Sequence, residues 1–172
     1  MSPQIEGLLG PYSLAGAPVQ GTNEVQTLTI GGTPTGGTFK LAFDGHTSGA
    51  ITWSATNATL LANIQAALDA MANVGTNGFV AAEGTITAGI GTITLTGGGN
   101  LANKVVPTIT VANNSLTGTA PTLEVAETTP GVDATMRGAA KGALLVDTTN
   151  AKLYINTGTA LDPTWTVVGT QT

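Results

Sequence analysis

Most of the chain after residue 22 alternates apolar and polar positions over short stretches. The segment 26–30 alternates, the turn-forming run GGTPTGG follows at 31–37, and the segment 39–43 alternates again. A period of two is typical of a β-strand that buries one face, so these segments predict a β-hairpin connected at 31–37. Further strands, separated by Gly, Asn or Pro clusters, are predicted at 51–53, 79–80, 85–87, 92–95, 109–111 and 123–125.

One segment, NATLLANIQAALDAMA at 57–72, has helical spacing instead. Its apolar residues lie one, three or four positions apart and form a single stripe: Leu60, Leu61, Ile64, Leu68 and Met71. Thr56 or Asn57 can cap the start of this helix, and Asn73 and Gly75 supply the left-handed conformations that end it. The predicted fold class is therefore mainly β (α+β), an antiparallel β-sheet or sandwich with one amphipathic helix packed on it.

The pattern changes near residue 132. The segment VDATMRGAAK at 132–141 is predicted to be a linker between a β-rich domain at 23–131 and a small C-terminal unit at 142–172. Three short apolar runs in that unit predict a β-meander, at 144–146, 153–155 and 165–167. Strands of this length bury little apolar surface, so we expect the meander to pack on the first domain or on copies of itself.

Residues 1–22, MSPQIEGLLGPYSLAGAPVQGT, follow neither a helical nor a strand period and contain three prolines and four glycines. Their apolar residues are too many for a purely solvated linker, so we predict an extended N-terminal arm that lies against a partner subunit. The contact residues would be Ile5, Leu8, Leu9, Tyr12, Leu14 and Val19. The alternative is a terminal segment that has no partner.

Composition narrows the functional classes. Charged residues make up 9% of the chain, the formal net charge is −5, and there is no cysteine, which excludes disulfides and thiolate metal sites. The basic residues are scattered and form no stripe that could neutralise a run of phosphates: Lys40, Lys104, Arg137, Lys141 and Lys152. We therefore expect no nucleic-acid partner. Neither a signal-peptide pattern nor a run of about 18 apolar residues occurs, so we expect no membrane segment and synthesis in a cytoplasm.

The sequence contains few residues suited to catalysis. Its one histidine, His46, follows a predicted turn, and no GxSxG motif is present, so we expect no Ser–His–Asp mechanism. Asp44 and His46 lack a third metal ligand within sequence reach, and the glycines at 97–99 lack the GK[ST] ending of a phosphate loop. The ten acidic residues could converge in space, but none lies in a recognisable catalytic context. We predict no enzymatic activity, no cofactor and no catalytic or metal-binding residues.

Several stretches carry a resemblance to bacteriophage proteins. The stretch NEVQTLTIGGTPTGGTFKLAFDGHTSGAITWSATNATLLANIQAALDAM, followed by TITLTGGGN, PTITVANNSLTGTAPTLEV and TTPGV, resembles a module of virion proteins from phages that infect actinobacteria. The closing GALLVDTTNAKLYINTGTALDPTWTVVG resembles the C-terminal segment of many phage head and tail structural proteins. Together these stretches cover residues 23–172, and the family has no catalytic residues to carry over.

The resemblance implies a structural protein of a tailed bacteriophage, resembling capsid decoration (cement) proteins. Such a protein binds the outer surface of the major capsid lattice and stabilises the head, so the expected location is the virion exterior, after assembly in the host cytoplasm. We expect a homo-oligomer, with a trimer favoured by the symmetry axes of a shell. A short chain without heptads or fixed repeats favours the capsid surface over a long fibre.

Four alternatives remain open. A head-fibre or tail structural protein that contacts the host surface would share the same motifs. A module of a bacterial adhesin would call for a signal peptide or a tandem array, and neither pattern is present. A glycan-cleaving virion enzyme needs acids positioned in a groove, and a glycan-binding surface needs clustered exposed aromatic residues.

Overall fold

The chain folds mainly into β-strands, with one α-helix, over residues 12–171, which are those that the computed structural model describes. This confirms the predicted fold class. The elements, in chain order, are β1 (Tyr12–Leu14), β2 (Val25–Phe43), β3 (His46–Thr47), β4 (Ile51–Thr52), α1 (Asn57–Asp69), β5 (Phe79–Thr87), β6 (Ile90–Gly97), a 3-10 turn (Gly99–Leu101), β7 (Thr110–Thr129), β8 (Leu144–Asp147), β9 (Lys152–Asn156) and β10 (Trp165–Val167).

These elements belong to two units. The larger unit is Thr22–Val132, and the smaller unit combines residues 12–21 with residues 133–171. Thr22 and Val132 close the larger unit by exchanging two backbone hydrogen bonds of 3.0 Å. Its ends therefore fall within one residue of the predicted 23–131 boundaries. Apart from Thr22 and Val132, the described residues of the predicted arm and linker belong to the smaller unit.

Strands β2 and β7 are the longest in the larger unit and pair antiparallel along nearly their whole length. The ladder runs from Val25 opposite Thr129 to Ala42 opposite Thr110. On its other edge β2 pairs with β6 near its start and with β4 and β3 near its end, and β5 extends the sheet beyond β6. The hairpin predicted at 31–37 is wrong, because these residues continue β2 instead of reversing it.

The glycines within 31–37 bend β2 without turning it back. Gly32 and Gly37 have φ values of +74° and +93°, and the ladder to β7 shifts register twice within the run. A Cβ atom at Gly32 would lie 2.1 Å from the Ala120 carbonyl oxygen, so the two strands can approach each other here only because the residue is glycine. The buried apolar residues consequently change from even to odd positions along β2: Leu28, Ile30, Phe39, Leu41 and Phe43.

Helix α1 packs its apolar stripe against the core of the larger unit. Its fully buried residues are Leu60, Ile64 and Leu68. They join sheet residues in one apolar cluster, as the amphipathic pattern predicts. The helix ends at Asp69, earlier than the predicted end at residue 72. Within the described residues, no helix is long and apolar enough to cross a membrane.

The predicted capping of this helix is confirmed in part: Gly75 has the expected left-handed conformation with a φ of +70°, whereas Asn73 does not, and no side chain caps the start. Thr56 occupies the N-cap position, but its side chain makes no capping hydrogen bond. The Asn57 side chain is used elsewhere, since it donates to the Ile86 carbonyl (3.1 Å) and accepts from the Gly89 amide (3.1 Å). These bonds tie the start of the helix to the turn between β5 and β6. The Asn57 side chain therefore has tertiary partners in place of a local capping bond.

The smaller unit contains a four-stranded sheet in the order β1-β8-β9-β10. Strands β8, β9 and β10 form the predicted antiparallel meander, which is confirmed. Strand β1 adds a fourth strand that runs parallel to β8, with Tyr12 opposite Leu145. A small apolar core lies on one face of this sheet: Ala139, Leu145, Tyr154 and Trp165, with Leu14, Met136 and Ala143 packed against them.

Candidate interaction surfaces

The described part of the predicted arm begins as an edge strand. Strand β1 pairs with β8, and the Leu14 carbonyl accepts bonds from the Thr148 amide (2.8 Å) and the Thr148 hydroxyl (3.1 Å). The Leu14 side chain packs against the core that contains Leu145 and Tyr154. This anchoring fixes β1 to the smaller unit at one edge of its sheet.

Further hydrogen bonds hold the residues that follow β1. The Val19 amide donates to the Thr135 hydroxyl (2.8 Å), and the Thr135 amide donates to the Val19 carbonyl (2.9 Å). The Gln20 side chain donates to the Trp165 carbonyl (3.1 Å) and accepts from the Trp165 amide (3.3 Å). The side-chain amide of Gln20 therefore pairs with Trp165 as a neighbouring strand would.

The six predicted contact residues separate into three groups. Ile5, Leu8 and Leu9 lie outside the described residues. Leu14 is half-buried against its own unit, so its side chain already has an apolar partner. Two described members are open to solvent, namely Tyr12, which is 37% exposed, and Val19, which is 48% exposed.

The buried carboxylate of Asp147 joins the two chain segments of the smaller unit. Its Oδ1 accepts from the amides of Gly16 (3.1 Å), Thr149 (2.9 Å) and Asn150 (3.0 Å), and its Oδ2 accepts from the Asn150 side chain (2.7 Å). The side-chain bond from Asn150 is the main cause that lowers the pKa of Asp147 below its ordinary value of 3.8, and the amide bonds lower it further against the effect of burial. The charged form of Asp147 therefore stabilises the folded unit.

The face of the sheet opposite the small core is also apolar. Register places Leu144 beside Ile155 and Val146 beside Leu153, and the Val168 amide donates to the Leu153 carbonyl (2.9 Å), which extends the pairing of β10 by one residue. We call these five side chains the aliphatic face. Leu144 and Val168 are 39% and 38% exposed, and the other three are half-buried. None of the five belongs to the core cluster on the opposite face.

Sequence reasoning missed the aliphatic face, although a signal for it was present. The runs LLV at 144–146, LYI at 153–155 and VV at 167–168 are apolar at consecutive positions. Because successive side chains of a strand point to opposite faces, such runs predict a sheet that is apolar on both sides.

Strand β7 presents a long edge that its own side chains partly block. The Asn114 side chain accepts from the Leu116 amide (3.1 Å) and donates to the Pro121 carbonyl (3.2 Å). Pro121 itself has no amide proton to offer another strand. Glu124 and Glu127 place two exposed charges further along the same strand. These features disfavour pairing of another strand along this edge.

A shallow groove of about 300 Å³ lies beside α1. Its lining consists of small or uncharged residues: Gly49, Ala50, Thr52, Asn63, Ala66, Ala67 and Ala70. None of these side chains titrates in the physiological range, so the groove supplies no acid or base for catalysis.

The residues singled out for metal or phosphate chemistry make contacts within the fold. The His46 ring Nδ1 lies 3.1 Å from the backbone carbonyl oxygen of Asp44, so the ring contacts its own turn. Among residues 12–171, no three His, Asp or Glu side chains gather in a group that could hold a metal ion. The Gly98 amide donates to the Gly78 carbonyl (2.9 Å), which directs it into the fold.

One buried acid, Glu24, has a structural role. Its Oε2 accepts from the Val106 amide (2.9 Å), and its Oε1 accepts from the Gln26 side chain. Gln26 in turn accepts from the Ile109 amide (2.7 Å) and donates to the Pro107 carbonyl (3.0 Å). This pair satisfies the backbone of the segment that leads into β7, as buried polar groups require.

Comparisons with known proteins found similarity among solved structures. No protein-family model matches the chain, and no curated protein matches it. Among solved structures, a chain labelled Mycobacterium phage Patience is similar, with a TM-score of 0.43 and 18% sequence identity. The similarity covers 87% of this chain and 56% of that one, so this chain matches little more than half the length of its neighbour.

Proposed function

We propose that this chain is a capsid decoration (cement) protein of a tailed bacteriophage, which binds the outer surface of the major capsid lattice and stabilises the head. The observation that carries the proposal is the anchored N-terminal segment. Residues 12–20 are fixed to the smaller unit, and they directly follow the apolar residues Ile5, Leu8 and Leu9. The resemblance of residues 23–172 to phage virion modules supports the same proposal.

An anchored apolar segment suits binding to a protein lattice. The hydrogen bonds from Gly16, Val19 and Gln20 order the base of the segment before any partner is present. A pre-ordered base reduces the conformational entropy that binding would otherwise cost. Tyr12 and Val19 add exposed apolar surface beside that base. Binding through this segment requires neither charge nor catalysis.

The physical effect on the capsid follows from linkage. A protein that binds the closed lattice, and not its separated subunits, shifts the equilibrium toward the closed lattice by the free energy of binding. The net charge of −5 disfavours contact with DNA, so the proposed partner within the head is the major capsid protein and not the packaged DNA. Several copies acting together, as in a trimer on a symmetry axis, would contact neighbouring capsid subunits at once.

The test is binding to capsids that lack the protein. The full chain carrying Ile5→Ser, Leu8→Ser and Leu9→Ser should lose co-sedimentation with such capsids, because the apolar contact is removed. The substitutions are restricted to residues before 12, since removing 12–20 would also remove β1 and the Gly16–Asp147 bond. Circular dichroism should show no change in folding.

The matched control replaces three exposed aliphatic residues elsewhere by serine, Val80, Val132 and Leu161, and it should bind like the wild type. Wild-type binding by the Ile5, Leu8 and Leu9 variant would contradict the role of the segment. A wild-type chain that binds the tail and not the head would contradict the decoration function and support the head-fibre or tail alternative.

A further inference from the structure

The aliphatic face has the properties of an interface between copies of this chain. Its side chains form two cross-strand rows. Leu144 and Ile155 lie in one row, and Val146, Leu153 and Val168 lie in the other. The outermost positions of the face, Leu144 and Val168, are its most exposed. The two rows make one continuous apolar surface across three strands.

The aliphatic face carries no charge, and its neighbours in register carry none either. Register places Ser13 beside Val146 and Thr166 beside Ile155, so hydroxyl groups and not ions border the aliphatic rows. The nearest charged positions in the same strands, Asp147 and Lys152, point to the opposite face because they alternate with Val146 and Leu153. The five aliphatic residues are therefore uncharged, and so are Ser13 and Thr166, which border them.

We propose that the smaller unit associates with further copies of this chain through the aliphatic face. Identical copies each carry a net charge of −5 and repel one another wherever charged surfaces meet. Contact through an uncharged face avoids the desolvation of ions and limits that repulsion. Because the face consists only of aliphatic and hydroxyl side chains, it is complementary to itself around a symmetry axis.

The small size of the core on the other face of the sheet also supports association with further copies of this chain. Among the described residues, the apolar cluster of the smaller unit has four buried members, Ala139, Leu145, Tyr154 and Trp165. A sheet this small gains stability by covering its second apolar face as well. Association would thereby give this face the dry, apolar centre found in homo-oligomer interfaces. The inference deepens the proposed function, because it names the surface through which the proposed homo-oligomer forms.

The experiment measures the mass of the full chain in solution by sedimentation velocity. We expect the wild type to sediment as one oligomer, and the Leu144→Lys, Val168→Lys variant to sediment as a monomer. The matched control, Val80→Lys with Leu161→Lys, adds the same charge at similarly exposed aliphatic positions and should keep the wild-type mass. A monomeric wild type, or a Leu144 and Val168 variant with the wild-type mass, would overturn the inference.

A second variant covers the case in which lysine unfolds the smaller unit, as read from Trp165 fluorescence. Leu144→Thr with Val168→Thr keeps residues that favour strands and removes part of the apolar surface. Its oligomer should dissociate at a higher protein concentration than the wild-type oligomer. Dissociation at the wild-type concentration would count against the inference.

Failure of this inference is distinguishable from failure of the proposed function. An oligomer that depends on Leu144 and Val168 but does not bind capsids would support the interface and contradict the decoration function. A wild-type monomer that binds capsids would contradict the interface and support the decoration function.

Discussion

The two units of this chain bury different kinds of groups to reach an ordered structure. In the larger unit, α1 and the sheet contribute side chains to one broad apolar core. Phe39 and Phe79 are among its largest fully buried side chains. The smaller unit has few buried apolar residues, and it places Asp147 and Asn156 in its interior with their polar atoms bonded. Among the described residues, the cores of the two units have no member in common.

The difference shows how a small unit compensates for a small core. Asn156 accepts from the amides of Gly158 (2.9 Å) and Thr164 (2.9 Å) and donates to the Ala139 carbonyl (2.8 Å), so one side chain organises the whole turn between β9 and β10. Such satisfied polar groups define a single arrangement but contribute less net stability than apolar burial. We therefore expect the larger unit to be the more stable of the two.

The chain provides one fluorescent reporter for each unit. Trp53 lies in the larger unit and Trp165 in the smaller one, and the sequence has no other tryptophan. Replacing either by phenylalanine leaves the other as the probe of a single unit in denaturant titrations. Separate transitions, with that of Trp53 at the higher denaturant concentration, would support the expectation that the larger unit is the more stable. Coincident transitions in every variant would contradict it.

The largest effect is expected from Phe79→Ala. Phe79 is fully buried and meets Phe43 edge to face, with ring centroids 5.1 Å apart. Its truncation should destabilise the larger unit by about 3–5 kcal/mol, because apolar contacts are lost and a cavity remains. The Trp53 transition should shift strongly and the Trp165 transition little. Val80→Ala, at the neighbouring exposed position, serves as the control and should shift neither.

A smaller effect is expected from Asn156→Ala in the smaller unit. The amides of Gly158 and Thr164, whose bonds to Asn156 are partly buried, would lose their acceptor, at a combined cost of about 1–3 kcal/mol. The Trp165 transition should move to lower denaturant concentration while the Trp53 transition stays in place. Thr157→Ala removes a neighbouring hydroxyl that donates to the Thr164 carbonyl (3.1 Å), and because this bond is exposed to water its loss should have little effect. A wild-type Trp165 transition in Asn156→Ala would show that these bonds contribute nothing.

The smallest effect concerns pH and falls on the smaller unit alone. The pKa of Asp147 is lowered in the folded chain, so the stability it contributes is complete above its ordinary value of 3.8. As the pH falls below that value, unfolded chains take up the proton before folded ones, and the contribution is lost on passing the folded pKa. Acid titration followed by Trp165 should show this loss, and Asp147→Asn should remove it. An unchanged acid transition in Asp147→Asn would contradict the assignment.

Much of the fold follows from local pattern. The spacing of Leu60, Ile64 and Leu68 predicts the helix, and the alternation at 26–30 and 39–43 predicts strands, because these signals depend on near neighbours. The course of β2 through 31–37 could not be predicted in this way. Glycines at positive φ suit both a turn and a bulge, and the choice depends on β7, which lies far away in sequence.

The interaction surfaces were predictable only in part. Leu14 and Val19 were recognised as apolar residues outside any period, but the parallel pairing of β1 with β8 depends on contacts across more than a hundred residues. The bond from Gly16 to Asp147 has the same long-range origin. The consecutive apolar residues at 144–146 are typical of a sheet with two apolar faces, but the sequence-based prediction did not include such a sheet, and only the register shows which side chains share a face.

The measurement that tests the central claim most directly is a reconstruction of intact virions that contain this chain. The account predicts density for the chain on the outer surface of the head, in contact with neighbouring copies of the major capsid protein. Density for the chain confined to the tail, or no density for it on the head, would contradict the account.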